Sequence, residues 1–134
     1  MRLGMINLNS LTNKIASLGQ WIVMEELKVV AVSETWLVPE VLSSFVDLPD
    51  FQIVRGDTDS DSRKHGVALY VSNEVKYLTM EVDLPNVAAV CLSEYNVYVV
   101  AVYRPPSYDV VQNNALVSFL ADFCYGREII LLGD

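Results

Sequence analysis

Short apolar runs, broken every few positions by Asn, Asp, Glu or Gly, set the rhythm of this chain. Leu3 to Ile6 is the first run and reads as a strand. Asn7-Leu8-Asn9-Ser10 follows as a loop, because Asn and Ser bond nearby backbone in turns and helix caps. From Asn13 to Glu26 apolar side chains return at Ile15, Leu18, Trp21 and Ile22, the spacing of an amphipathic helix. Val29 to Ser33 is apolar up to its last residue, which in so short a segment predicts a strand covered on both faces. Strand, helix and buried strand make a βαβ opening.

Pro39 to Val46 fits a short helix, Leu48-Pro49-Asp50 is punctuation, and Phe51 to Arg55 alternates as a strand does. Gly56 to Lys64 is the most polar stretch and predicts a solvated, mobile loop. Four β-branched and aromatic runs come next: Gly66 to Ser72, Val75 to Val82, Val87 to Ser93 and Val97 to Tyr103. The short turns between them, such as Ser72-Asn73-Glu74, predict antiparallel neighbours. Asp109, with Gln112 three places on, is a cap for a second helix whose buried stripe is Leu116, Phe119, Leu120 and Phe123. Glu128 to Leu132 is the last strand, and Gly133 is read as allowing a tight exit. A βαβ unit, a run of strands and an αβ unit predict an α/β (α+β) fold with a mixed sheet and helices outside.

Composition narrows the classes. The 134 residues are enough for one domain with a core that needs no staples, and nothing resembles a linker. Mean hydropathy is +0.31, yet no run approaches the roughly 18 residues that span a bilayer. Asn7, Asn9 and Asn13 interrupt the start, which argues against a signal peptide. Cys91 and Cys124 have no metal-ligand spacing and read as reduced packing residues. The chain therefore reads as intracellular, with nothing to separate nucleus from cytoplasm, and no membrane partner is expected. A net charge of -8 argues against a large nonspecific nucleic-acid surface, because neutralising phosphates needs clustered Lys and Arg. A polyanionic substrate would need metal ions or basic residues from elsewhere.

The chemistry-bearing residues sit where buried strands run out. Asn7 follows the first, Glu34 the second, Tyr103 ends the fourth of the later runs, and Asp134 follows the last. Polar groups at one edge of an α/β sheet are the usual way such a fold builds a site. A carboxylate at Glu34 suits Mg²⁺, which takes one or two protein oxygens and keeps several waters. The Asn7 amide can orient a carboxylate, a water or a phosphate oxygen, and the Tyr103 phenol can hydrogen-bond a phosphate. Each also has an ordinary reading: a solvated loop residue for Glu34, an Asx turn for Asn7, a charged end for Asp134, surface packing for Tyr103. His65, the one histidine, precedes Gly66 beside the polar loop and reads as an exposed spectator.

Taken in order, Asn7-Leu8-Asn9-Ser10-Leu11, Ser33-Glu34-Thr35-Trp36-Leu37, His65-Gly66-Val67-Ala68-Leu69-Tyr70-Val71, Val102-Tyr103-Arg104-Pro105-Pro106 and Leu132-Gly133-Asp134 resemble the endonuclease/exonuclease/phosphatase superfamily. Within it they look most like the apurinic-like endonuclease domain of non-LTR retrotransposon proteins. The resemblance implies part of a four-layered α/β/β/α sandwich with mixed sheets that cleaves a phosphodiester with Mg²⁺, or with Mn²⁺ in its place. It implies Glu34 as metal ligand, Asn7 as the amide that positions the site, Tyr103 as the phosphate contact and Asp134 as the residue orienting the attacking water. It further implies that residues 1–134 are the amino-terminal half of the domain. The other half would bring another aspartate and a Ser-Asp-His block with the essential histidine. In the full-length parent the partner would be DNA, with a reverse transcriptase domain in cis, and this half alone would be inactive with an exposed sheet edge. Two alternatives keep the fold: a noncatalytic interaction module or remnant, and another phosphoesterase of the superfamily. A nucleotide-binding βαβ domain is set aside, because Asn7 to Leu11 has no glycine for close approach to a pyrophosphate.

Overall fold

A strand buried on both faces must serve two cores at once, and the second strand does so. In the computed structural model, which describes residues 1–59 and 64–134, it runs Leu27–Ser33 (β2) beside a parallel first strand, Arg2–Asn7 (β1). Val29 and Ala31 face the core between two sheets, while Val30 and Val32 face the helix Ile15–Met24 (α1) that joins β1 to β2. Leu18 and Ile22 of α1 are buried there, each worth roughly 2 kcal/mol.

Phe51–Gly56 (β3) and Val67–Ser72 (β4) complete the first sheet, in the order β1-β2-β4-β3. Tyr77–Met80 (β5), Val87–Leu92 (β6), Val97–Val102 (β7) and Glu128–Gly133 (β8) form a second sheet in that order, with β7 and β8 parallel and joined by the helix Val110–Cys124 (α2). Alternate residues of β2, β4, β6 and β7 fill the space between the sheets. Leu116, Phe119, Leu120 and Phe123 of α2 cover the outer face of the second sheet over Val100 and Val102. The layers run α, β, β, α, the mixed-sheet sandwich that the resemblance implies. The capping box is present: Asp109 accepts from the Gln112 N–H, and Gln112 in turn accepts from the Asp109 N–H. No helix is long and apolar enough to cross a membrane among the described residues.

Four local readings change. The Ser72-Asn73-Glu74 turn is no hairpin, because β4 and β5 lie in different sheets and the turn carries the chain from one layer to the other. Pro39 to Val46 yields only a 3-10 turn, Ser43–Val46. Gly133 is paired with Val102 inside β8 and makes no sharp exit. The polar stretch starts buried: Gly56 ends β3, Thr58 is 5% exposed, and Asp57 accepts two bonds from the Arg55 guanidinium at 3.1 and 2.7 Å. That guanidinium also donates to the carbonyls of Val41 and Val38, so it pins the strand-to-turn connection to β3. The loop reading for residues 60–63 lies outside the described residues.

Tyr70 gives the fold a pH dependence. It is 1% exposed and its hydroxyl donates to the Val46 carbonyl at 2.6 Å. Burial pushes its pKa far above the ordinary value of 10.0, with Asp47 adding to the effect and Arg55 opposing it. A phenol whose folded pKa is raised contributes stability that is whole below the unfolded value and is lost as pH climbs above it. The urea midpoint should therefore fall from about pH 10 upward. Tyr70→Phe should cost about 1 to 3 kcal/mol at pH 7, by stranding the Val46 carbonyl, and should flatten the alkaline fall. Equally steep alkaline limbs in the two proteins would contradict this account.

Candidate active site

Parallel strands joined by a helix end at the same edge, so β1 and β2 deliver Asn7 and Ser33 side by side, and β7 and β8 deliver Val102 and Gly133. Stacking of the sheets then brings the two pairs of ends together. The Asn7 amide nitrogen donates to Glu34 Oε2, from the residue that follows β2, and to Asp134 Oδ2 at 2.7 Å, from the residue that follows β8 in the other sheet. Ser33, fully buried, donates its hydroxyl to the same Asp134 oxygen at 2.9 Å. Asn7 Oδ1 meanwhile accepts the Asn9 N–H at 3.1 Å, so the ordinary Asx turn and the contact to the two carboxylates coexist in one side chain.

The backbone around Glu34 is clamped from both sides. Its carbonyl accepts the Ser10 N–H, the Thr35 carbonyl accepts the Leu11 N–H, and the N–H groups of Thr35 and Trp36 donate to the Gly66 and His65 carbonyls. Glu34 and Trp36 take φ of 52° and 59°, a left-handed conformation that costs a side-chain-bearing residue on the order of 1 kcal/mol and persists only where neighbours over-determine it. Gly66, at φ 99°, has no such cost, and a Cβ there would come within 2.5 Å of the Thr35 hydroxyl. Lys14 holds the loop after β1 by donating to the Leu8 and Asn9 carbonyls at 2.6 and 2.8 Å.

Tyr103 lies at the same edge, 8% exposed, directly after β7. Burial raises its phenol pKa, and Glu34 and Asp134 raise it further. The group therefore keeps its proton at neutral pH and can donate a hydrogen bond. His65, read from the sequence as exposed, is half-buried, with its ring 5.8 Å from that of Tyr103 and tilted by 46°. Sequence reasoning missed Ser33; its signal was a polar residue closing the apolar run that begins at Val29.

The donor set suits a hard cation. Two carboxylates meet over one neutral amide, and among the described residues neither has an ion-pair partner. Also among the described residues, no group of three or more His, Cys, Asp or Glu could hold a metal ion. Carboxylate oxygens with water making up the rest are a donor set that Mg²⁺ accepts.

No protein-family model and no curated protein matches the sequence. Solved structures do. A 3'-5' exonuclease, NExo, from Neisseria meningitidis superposes with a TM-score of 0.71 at 20% identity, over 100% of this chain and 57% of that one. The endonuclease domain of TRAS1, a telomere-specific non-LTR retrotransposon, gives 0.68 at 11% identity, over 97% and 56%. An AP endonuclease from Archaeoglobus fulgidus gives 0.67 at 11% identity, over 98% and 56%. The chain has an endonuclease/exonuclease/phosphatase fold. It spans little more than half the length of these structures, and at such identities the likeness is one of fold. Within that fold, the end of β8 is where the two sheets meet at Asn7.

Proposed function

We propose that this chain supplies one half of a Mg²⁺-dependent phosphodiesterase site that nicks DNA, as the amino-terminal part of an endonuclease domain in a retrotransposon polyprotein. The observation that carries the reading is the Asn7 amide bonded at once to Glu34 from one sheet and Asp134 from the other. Glu34 would hold the cation, with Mn²⁺ able to replace Mg²⁺, and Asp134 would orient the attacking water. The bound cation would neutralise charge that builds on the phosphate and the leaving oxygen. Asn7 keeps the two carboxylates at a fixed separation, Ser33 fixes the face that Asp134 presents, and the neutral Tyr103 hydroxyl donates to a phosphate oxygen. Such chemistry asks mainly for positioning, which short hydrogen bonds between strand ends provide.

The likeness to the endonuclease domain of TRAS1, a non-LTR retrotransposon, supports a retrotransposon endonuclease as the parent; DNA as substrate, an intracellular setting and a reverse transcriptase domain in the same polypeptide belong to that proposal. The likeness to NExo, solved as a 3' phosphatase with product DNA, keeps a phosphate monoester at a DNA end as the nearest alternative. The net charge of -8 favours a second reading, a noncatalytic module of the same fold, which would have no use for a cation at Glu34. Mn²⁺ separates the two. In ¹⁵N spectra of the chain, micromolar Mn²⁺ should broaden the Asn7 side-chain amide first, and Glu34→Gln should abolish the effect. Broadening confined to other acidic surfaces would leave the noncatalytic module as the reading to keep.

A further inference from the structure

Asn86, one residue before β6, belongs to none of the roles above, yet all four of its polar groups are used. It is 1% exposed and takes φ of 60°, a conformation that Asn tolerates better than most residues. Its N–H donates to the Asp57 carbonyl at 3.3 Å, and its carbonyl accepts the Tyr103 N–H at 2.9 Å. Its Oδ1 accepts the Gly66 N–H at 2.8 Å, and its Nδ2 donates to the Tyr108 hydroxyl at 2.9 Å. An aliphatic residue would satisfy the packing but could not make the two side-chain bonds, so the amide is there to tie segments together.

Two of these ties lead to the site. The Asn86 carbonyl holds Tyr103 where it leaves β7. The Asn86 amide holds Gly66, whose carbonyl and that of His65 in turn hold Thr35 and Trp36 just after Glu34. The ring of His65 closes the loop by packing on that of Tyr103. We propose that Asn86 is a positioning residue that sets the separation of Tyr103 from the Glu34 segment. It touches neither phosphate nor carboxylate and acts through the residues it ties. The value of that separation for catalysis rests on the phosphodiesterase reading; the positioning itself does not.

Asn86→Gly removes the side-chain amide together with its methylene and leaves a residue content at positive φ. Amide exchange and aromatic NOEs of the chain provide the readout. In Asn86→Gly the Gly66 N–H should exchange at least about tenfold faster. The NOE between the His65 and Tyr103 rings should vanish, while Leu69 in β4 and Val100 in β7 keep the parent's protection. Uniform loss of protection across both strands, or an unchanged Gly66 rate and ring NOE, overturns the proposal. Should Asn86→Gly fail to fold, Tyr108→Phe decides: freeing one end of the amide should weaken the ring NOE and speed Gly66 exchange severalfold, and no change in either refutes it. Loss of these signals in a chain that shows no Mn²⁺ effect at Asn7 would uphold Asn86 and discard the metal reading instead.

Discussion

Gly56→Ala should abolish the cooperative unfolding transition of this chain or move it to far lower urea. At the end of β3 the first sheet comes so close to β6 of the second that a Cβ on residue 56 would lie 2.2 Å from the Val87 carbonyl oxygen, 2.6 Å from its carbon and 2.9 Å from its nitrogen. All three are backbone atoms, so no rotamer change can make room, and the sheets themselves would have to separate. Overpacking of a well-filled core costs about 1 to 3 kcal/mol where side chains can yield, and a backbone clash belongs at or beyond the top of that range. Against a total stability on the order of 5 to 15 kcal/mol, the loss is large. By contrast, Ala at Gly126, where nothing lies within 4 Å of the added carbon, meets strain only from its φ of 70°. The two substitutions in parallel urea titrations distinguish close approach from conformational strain. A Gly56→Ala midpoint no lower than that of Gly126→Ala would show that β3 and β6 are held less tightly than their contact implies.

That close approach was illegible in the sequence, where Gly56 reads as the first residue of a polar loop. Periodicity reports which residues of a strand are buried, and it did so well for Val29 to Ser33 and Val87 to Leu92, because both cores on either side of a strand select apolar residues. It says nothing about which sheet a strand joins. Ser72-Asn73-Glu74 is as short as a hairpin turn, yet β5 leaves the first sheet there, since β4 is already flanked by β2 and β3 and has no free edge. The same limit governs the site. That Asn7 and Glu34 share an edge follows from the βαβ unit alone, whereas the meeting of both with Asp134 depends on how the two sheets stack. Ser33 and Asn86 escaped notice because their roles lie in bonds to residues distant in sequence, and a lone buried Ser or Asn carries no period to betray it.

Glu34→Gln should make the chain indifferent to Mg²⁺ while leaving it at least as stable without the metal. In the parent, two carboxylates approach one amide nitrogen, and among the described residues no cation pairs with either. Repulsion between them is a cost that the hydrogen bonds from Asn7 and Ser33 offset in part and that a bound cation would offset further. A ligand that binds only the folded state stabilises it by about 2.7 kcal/mol at a hundredfold excess over its Kd. For a domain of this size that is a Tm rise of roughly 8 °C, taking about 3 °C per kcal/mol. Gln at position 34 keeps an oxygen for the Asn7 amide and removes the charge, so the geometry survives while the affinity for a hard cation does not. Thermal scans of parent and variant across a MgCl₂ series, with NaCl matching ionic strength, should give a rising curve for the first and a flat one for the second. Parallel curves would place the stabilising cation elsewhere on this acidic chain, and with it would go the assignment of Glu34 as ligand. Asp134→Asn completes the comparison: if that carboxylate mainly orients water, its loss should relieve the same repulsion yet preserve part of the Mg²⁺ response, so the two variants differ in how much response survives and agree in their behaviour without metal.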